Sequence, residues 1–328
     1  MKENLRTDLV DELITETKHD NFDDLTVTRI DVDEARSKEI GKKVGRYVTI
    51  EFKDVSDYDA KEKIKKVFSD ELSKIITNLN LNNDSSCLII GLGNEKSTPD
   101  ALGPLSLKQV IVTNHLFELG DVSPGFRKTF AFEPGVTGET GIETSDLIKS
   151  LTEFVKPDFV IVIDALASTS IDRVNKTIQV SDAGINPGSG VGNKRKEVSR
   201  ETVGIPVIAV GVPTVVDAVS IVSDTINYMY QNIAYTKDNI NNPSSKLKTM
   251  VNYLNYDNNV DTEDKQKLLG LVGTLSEEET KRLIFEVLTP IGYNLMVTPK
   301  EEDFIIEKLS DVIAGGINRS LHESVNNI

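Results

Sequence analysis

Apolar positions between residues 58 and 81 recur every three or four residues, at Ile64, Val67, Phe68, Leu72, Ile75, Ile76 and Leu79. This spacing places one continuous apolar stripe along a helix. The pattern therefore predicts a long helix that packs on the core.

Short apolar runs alternate with helical patterns through the middle of the chain. Strands are predicted at residues 87–92, 129–132, 159–163 and 206–212, and helices at about 100–119, 144–155 and 215–230. Repeated strand–helix units favour a mostly parallel sheet with helices on both faces, a three-layer α/β fold. Residues 177–180 predict one further strand, either at an edge or antiparallel.

Two regions extend beyond these units. Before about residue 54 the chain is β-rich, with strands expected at residues 25–32 and 46–52, and after residue 264 it is helical to about 317. Residues 231–264 are polar and rich in Asn, Lys and Ser, which predicts a mobile insertion. Together these patterns indicate a single domain with N-terminal β-rich and C-terminal helical additions.

The composition limits the kinds of partner that the protein can bind and where in the cell it is expected. Acidic residues outnumber basic ones, 52 to 37, giving a net charge of -15. Such a surface repels phosphate backbones and anionic lipid, so we expect neither direct nucleic-acid binding nor a membrane partner. Residues 1–12 lack the apolar core of a secretory signal and no later run has the length of a membrane span, so we expect a cytoplasmic location.

Two aspartates stand where predicted strands of the sheet end. Asp100 lies in the loop after strand 87–92, and Asp164 closes strand 159–163. Catalytic groups gather at the carboxyl ends of parallel strands, and a charge at the end of a buried strand needs a crevice or a partner. Each carboxylate alone is equally explained as a helix or loop cap. As a pair, they would separate each other's ionisation into an acid and a base that could activate water against a peptide bond.

Glycine-rich loops accompany these aspartates. The candidate substrate-binding or loop-support residues are Gly91, Gly93, Asn94, Gly135, Gly138, Gly188, Gly190 and Lys194. Glycine permits a close approach of backbone to an extended peptide, and exposed amides can bind an oxyanion. Tight turns explain the same glycines equally well.

Cofactor and metal signatures are weak. The pair Gly91 and Gly93 begins like a dinucleotide fingerprint, but Lys96 replaces its third glycine, so we expect no cofactor. The histidines His19, His115 and His322 lack metal-ligand spacing, which disfavours a zinc hydrolase, although a carboxylate-bound metal stays open. The single cysteine, Cys87, has no adjacent base and lies in an apolar run, which favours a packed, inert thiol.

Several long motifs resemble those of the germination protease family of spore-forming bacteria. They are residues 91–94 (Gly-Leu-Gly-Asn), 98–104 (Thr-Pro-Asp-Ala-Leu-Gly-Pro), 134–135 (Pro-Gly), 141–146 (Gly-Ile-Glu-Thr-Ser-Asp), 163–167 (Ile-Asp-Ala-Leu-Ala), 187–197 (Pro-Gly-Ser-Gly-Val-Gly-Asn-Lys-Arg-Lys-Glu), 204–209 (Gly-Ile-Pro-Val-Ile-Ala), 213–220 (Pro-Thr-Val-Val-Asp-Ala-Val-Ser) and 295–300 (Leu-Met-Val-Thr-Pro-Lys). The resemblance runs from near residue 7 almost to the end and is weakest at 231–264.

The resemblance implies an endopeptidase that degrades small acid-soluble spore proteins during germination, with Asp100 and Asp164 as its catalytic residues. It also implies a zymogen that cleaves itself between Arg6 and Thr7, so that residues 1–6 are a propeptide and 7–328 a single peptidase domain. A homotetramer in the cytoplasm of the developing spore and in the spore core is expected on the same basis.

Two rival hypotheses remain. The family is similar to the hydrogenase-maturation endopeptidases, which share the Gly-x-Gly-Asn and Asp-Ala signatures and recognise nickel. The first rival is therefore a metal-dependent or metal-recognising peptidase that uses the same two aspartates as ligands. The second is a non-catalytic module whose glycine loops bind a peptide or an anion.

Overall fold

The computed structural model describes residues 7–14, 17, 19–22, 24–188, 195–241, 260–288 and 295–327. The chain divides into two compact units. One unit consists of Leu5–Val216 together with Thr298–Ile328, and the other contains Asp217–Val297.

The strands of the described residues are β1 (His19–Phe22), β2 (Leu25–Val32), β3 (Gly45–Phe52), β4 (Cys87–Gly91), β5 (Thr129–Phe132), β6 (Phe159–Ser168), β7 (Thr177–Ser181), β8 (Val207–Asp217) and β9 (Met296–Val297). The first eight lie in the order β1-β2-β3-β7-β8-β6-β4-β5. Strands β8, β6, β4 and β5 are mutually parallel, whereas β1, β2, β3 and β7 join the sheet through antiparallel pairs.

The sheet is therefore mixed, which confirms the α/β class and corrects the expectation of a mostly parallel sheet. The N-terminal β-rich region is no separate addition, because β3 pairs with β7 and so continues the central sheet. Period-two alternation marks a strand but carries no information about which partner it finds or in which direction.

The helices are α1 (Glu34–Ile40), α2 (Tyr58–Asn78), α3 (Leu102–Leu107), α4 (Asn114–Leu119), α5 (Thr137–Thr140), α6 (Thr144–Val155), α7 (Arg200–Val203), α8 (Ala218–Asp238), α9 (Thr262–Leu269), α10 (Glu277–Leu288) and α11 (Glu302–Leu321). The long helix predicted from residue 58 is confirmed as α2. Its start is fixed by Asp57, whose carboxylate accepts a hydrogen bond from the Ala60 amide.

The helix predicted at 100–119 is instead broken into two short helices. Between α3 and α4, the Ile111 amide donates to Asn318 Oδ1 at 2.8 Å and the Thr113 hydroxyl donates to the Arg127 carbonyl at 2.6 Å. These tertiary hydrogen bonds satisfy backbone groups outside a helix, in a stretch rich in β-branched residues.

Helices cover both faces of the parallel strands. On one face, α2, α3 and α11 bury Phe68, Leu72, Leu102 and Ile313 against the sheet. On the other, apolar residues of α6 and α7 pack on alternate side chains of β4 and β6. Since successive side chains of a strand point to opposite faces, the all-apolar run that begins β6 feeds both layers.

The second unit is helical at both ends of the predicted insertion. Helix α8 is capped by Asp217 and continues to Asp238, and α9 begins at Thr262, so part of 231–264 is ordered secondary structure. Residues 242–259 lie outside the described residues. Among the described helices, none combines the length and apolar character that crossing a bilayer requires.

Candidate active site

Asp164 lies inside β6 rather than at its end, because β6 continues to Ser168. Its neighbour β4 pairs with β6 only as far as Gly91, which lies opposite Ile163. On the other side, Asp164 lies opposite Gly211 of β8. The carboxyl therefore stands where β6 loses β4 as a partner, at the carboxyl end of the shorter strand. This is the kind of crevice in which α/β enzymes place their active sites.

Beyond the end of β4, carboxylates accept hydrogen bonds from backbone amides on the open edge of β6. The last bond from the β4 side is donated by the Leu92 amide to the Ile163 carbonyl at 2.8 Å. Two residues further on, Asp164 Oδ1 accepts the Ala165 amide at 2.9 Å. The side chain thus satisfies a backbone donor that a neighbouring strand would otherwise bind.

Asp100 is held by a tight loop that follows β4. It ends a 3₁₀ turn, Thr98–Asp100. The Asp100 amide donates to the Ser97 carbonyl at 2.7 Å, and the Asn94 amide donates to the Asp100 carbonyl at 3.0 Å. The Asn94 amide therefore helps to close the loop that carries Asp100.

Glycine makes this loop possible. Gly93 has φ +113°, and a Cβ there would lie 2.0 Å from the Asp100 carbonyl oxygen. A Cβ on Gly91 would lie 2.5 Å from the Gly103 carbonyl oxygen, so the start of α3 packs directly on the end of β4. At both positions the backbone of this loop approaches so closely that a side chain would clash with it.

Burial changes the ionisation of both aspartates. Burial raises the pKa of Asp100 to about 6, although the nearby Asn94 amide acts in the opposite direction. The pKa of Asp164 is raised well above its ordinary value, first by burial and then by the negative charges of Asp100 and Asp8. Asp164 is only 5% exposed. The two carboxyls therefore interact, and they titrate at different pH values.

Asp8 was not among the residues predicted from the sequence, yet its charge acts on Asp164. Its N-terminal segment carries no periodic pattern, and its partner Ala167 lies 159 positions away in the sequence. A second overlooked group is Thr214, whose hydroxyl donates to the Pro99 carbonyl at 2.6 Å, directly before Asp100. The Thr298 hydroxyl donates to the Thr214 carbonyl at 2.9 Å, so Thr298 is linked through Thr214 to the Asp100 loop.

The other two glycine-rich loops predicted from the sequence make few contacts with the Asp100 loop among the described residues. Gly135 and Gly138 flank the start of α5, where Lys96 of the Asp100 loop lies 3.4 Å from Glu139. Gly188 is a described turn residue with φ +69°. Gly190 and Lys194 lie outside the described residues, as does Arg6.

Other titratable groups do not assemble into a second centre. Cys87 is fully buried and burial raises the pKa of its thiol, so the thiolate nucleophile is disfavoured as the sequence predicts. Within the described ranges, no three His, Cys, Asp or Glu side chains are placed to share a metal ion.

A mixed α/β sheet with two interacting carboxyls of raised pKa in its crevice is an arrangement typical of enzymes. The family model of the germination protease matches residues 2–328, so the chain belongs to the germination protease family and is a peptidase.

Individual relatives agree with this assignment. The chain is 49% identical over 318 residues to a germination protease of Geobacillus sp. (strain WCH70), covering 94% of this chain and 86% of that protein. It is 50% identical over 311 residues to that of Bacillus cereus (strain ATCC 10987 / NRS 248), covering 92% and 85%. It is 49% identical over 313 residues to that of Bacillus subtilis (strain 168), covering 92% and 84%.

Proposed function

We propose that this peptidase begins the degradation of small acid-soluble spore proteins during germination, and that Asp100 and Asp164 perform the hydrolysis. The observation that carries the proposal is the pair itself. Asp164 of β6 and Asp100 of the loop after the neighbouring strand β4 lie close enough for the charge of Asp100 to act on Asp164, and burial raises the pKa of each.

In the proposed reaction, a water molecule attacks the peptide carbonyl carbon while one carboxylate takes the water's proton. The other carboxyl donates its proton to the carbonyl oxygen. When the tetrahedral intermediate collapses, one of its hydroxyls returns a proton to the carboxyl that acted as acid, the C–N bond breaks, and the carboxyl that took the water's proton passes it to the leaving nitrogen. The chemistry requires one protonated and one ionised carboxyl, which is the state that two interacting aspartates hold over an intermediate pH range.

We assign the acid to Asp164 and the base to Asp100. Asp164 is the more deeply buried, and two negative neighbours favour its protonated form. Its Oδ1 already accepts the Ala165 amide, so Oδ2 is the atom on which the proton belongs. Asp100 lies on a loop, is partly exposed, and its pKa of about 6 makes it the carboxylate at neutral pH.

Self-cleavage between Arg6 and Thr7 is proposed for the zymogen. Thr7 is 5% exposed, and Lys42 Nζ donates to its carbonyl oxygen at 2.8 Å. A chain beginning at Thr7 would therefore start at an anchored residue. N-terminal sequencing of aged protein should find Thr7; protein that retains Met1 throughout would count against this step.

The proposed setting is the cytoplasm of the developing spore and the spore core, with a homotetramer as the working assembly. Membership of the family supports both statements. Sedimentation analysis of the purified chain tests the assembly directly, since a monomer at all concentrations would contradict it.

The substrate proposal is tested by digesting a purified small acid-soluble spore protein beside an unrelated unfolded protein of similar charge. Mass spectrometry of the products should show one or a few internal cuts in the spore protein at enzyme concentrations that leave the other protein intact. Binding without any cut would favour the peptide-binding module instead.

A further inference from the structure

The N-terminal segment, defined here as residues 7–14, is bound along its length by hydrogen bonds to β7 and to the end of β6. Gln179 accepts the Val10 amide at 2.8 Å and donates to the Asp8 carbonyl at 3.0 Å. Glu12 accepts the Thr169 amide at 3.0 Å, just after the end of β6. Leu9 and Val10 are fully buried. The segment is thus packed structure, ordered by contacts with β6 and β7.

Asp8 is the residue of this segment that completes the edge of β6. Its amide donates to the Ala167 carbonyl at 2.9 Å, and its Oδ2 accepts the Ala167 amide at 2.9 Å. Both backbone groups of Ala167 point to the side from which β4 has already withdrawn. Without Asp8, a donor and an acceptor on this edge would lose their partners.

The same edge places Asp8 beside the proposed acid. Asp164 Oδ1 accepts the Ala165 amide and Asp8 Oδ2 accepts the Ala167 amide. Amides two residues apart on one strand edge are separated by about 7 Å. The negative charge of Asp8 raises the pKa of Asp164, because a nearby anion disfavours a second negative charge.

The charged groups around this pair are few among the described residues. Asp100 faces Asp164 from the loop after β4, and Asp8 faces it from the N-terminal segment. Burial lowers the pKa of Lys42, and the charges of Asp8 and Glu12 act in the opposite direction. Lys42 Nζ donates to the Thr7 carbonyl at 2.8 Å, so this lysine binds the residue that precedes Asp8.

We propose that Asp8 is a positioning residue of the active site, which fixes the end of β6 beyond Asp164 and supplies the negative charge that keeps the proton on the acid. This inference rests on the proposed roles of Asp100 and Asp164. It makes the residues that immediately follow the proposed cleavage point part of the catalytic structure.

The test compares Asp8→Asn, Asp8→Ala and the wild type, each as the full chain and as a chain that begins at Thr7, measuring kcat and KM for cleavage of the spore protein from pH 5 to pH 9. Asp8→Asn keeps an oxygen for the Ala167 amide and removes the charge. We expect its high-pH limb to move to lower pH, with kcat at the optimum reduced less than about tenfold. Asp8→Ala also removes the hydrogen bond, and we expect kcat to fall more than about tenfold with KM nearly unchanged.

Asp11→Asn is the matched control, because Asp11 belongs to the same segment but pairs with Arg173 at 2.6 Å. Its high-pH limb should coincide with that of the wild type. An Asp8→Asn profile that also coincides with the wild type would overturn the inference, even if Asp8→Ala fails to fold. Asp100→Asn and Asp164→Asn, assayed alongside, must lose activity; if either keeps it, the proposed function fails rather than the role of Asp8.

Discussion

Replacing Asp100 by asparagine should stabilise the fold while it removes activity. Burial raises the pKa of Asp100 from 3.8 to about 6. The folded chain therefore binds this proton more tightly than the unfolded chain, and the free energy of unfolding falls as the pH rises from about 4 to 6. Above that window the charged carboxylate costs the fold about 2–3 kcal/mol, which a neutral asparagine avoids.

Urea unfolding followed by circular dichroism measures this difference. At pH 8 we expect Asp100→Asn to raise the free energy of unfolding by about 2–3 kcal/mol, and at pH 5 the gain should shrink to about half. The control is Asp146→Asn, which removes an exposed carboxylate that pairs with Lys196, and which should give a small loss or no change. A gain that is absent at pH 8, or that does not depend on pH, would refute the reasoning about buried charge.

Three further outcomes follow from the Asp100 loop. For the wild type, kcat/KM should rise as the pH passes about 6, where Asp100 becomes a base; a profile that is flat through this range would contradict the assignment. Gly93→Ala should lower kcat more than about tenfold and the free energy of unfolding by about 1–3 kcal/mol, because the added Cβ would clash with the Asp100 carbonyl oxygen. Wild-type kinetics in this variant would show that Gly93 does not position Asp100. Thr214→Val should lower kcat, because the Pro99 carbonyl next to Asp100 loses its hydrogen bond. Thr225→Val removes a comparable hydroxyl hydrogen bond within α8 and should leave kcat unchanged. Equal effects of the two variants would show that Thr214 does not position the Asp100 loop.

The sequence was sufficient to predict the parts of the site that local pattern controls. Apolar runs that end in Gly91 and continue to Asp164 mark two buried parallel strands, and parallel strands place their carboxyl ends together. The structure places both aspartates there, and their charges interact. Helix α2 was predictable for the same reason, since its stripe and its Asp57 cap are local features.

The remainder depends on contacts between distant parts of the chain. The antiparallel pairing of β7 with β8 makes the sheet mixed, the pairing of β3 with β7 extends it, and no residue of these strands specifies its partner. Asp8 reaches β6 from a segment without regular secondary structure along most of its length. Thr214 reaches Pro99 across 115 positions of sequence. Such residues are chosen by the packed structure, and a single sequence contains no periodic signal for them.

The central claim, that Asp100 and Asp164 together hydrolyse the peptide bond, is tested most directly by one cleavage experiment. The wild type, Asp100→Asn and Asp164→Asn are each prepared as the full chain and as a chain that begins at Thr7, and each is incubated with a purified small acid-soluble spore protein, with and without a metal chelator. The account predicts that both variants lose cleavage in both forms and that the wild type is indifferent to the chelator. Undiminished cleavage by either variant, or a loss in chelator that added metal restores, would contradict it.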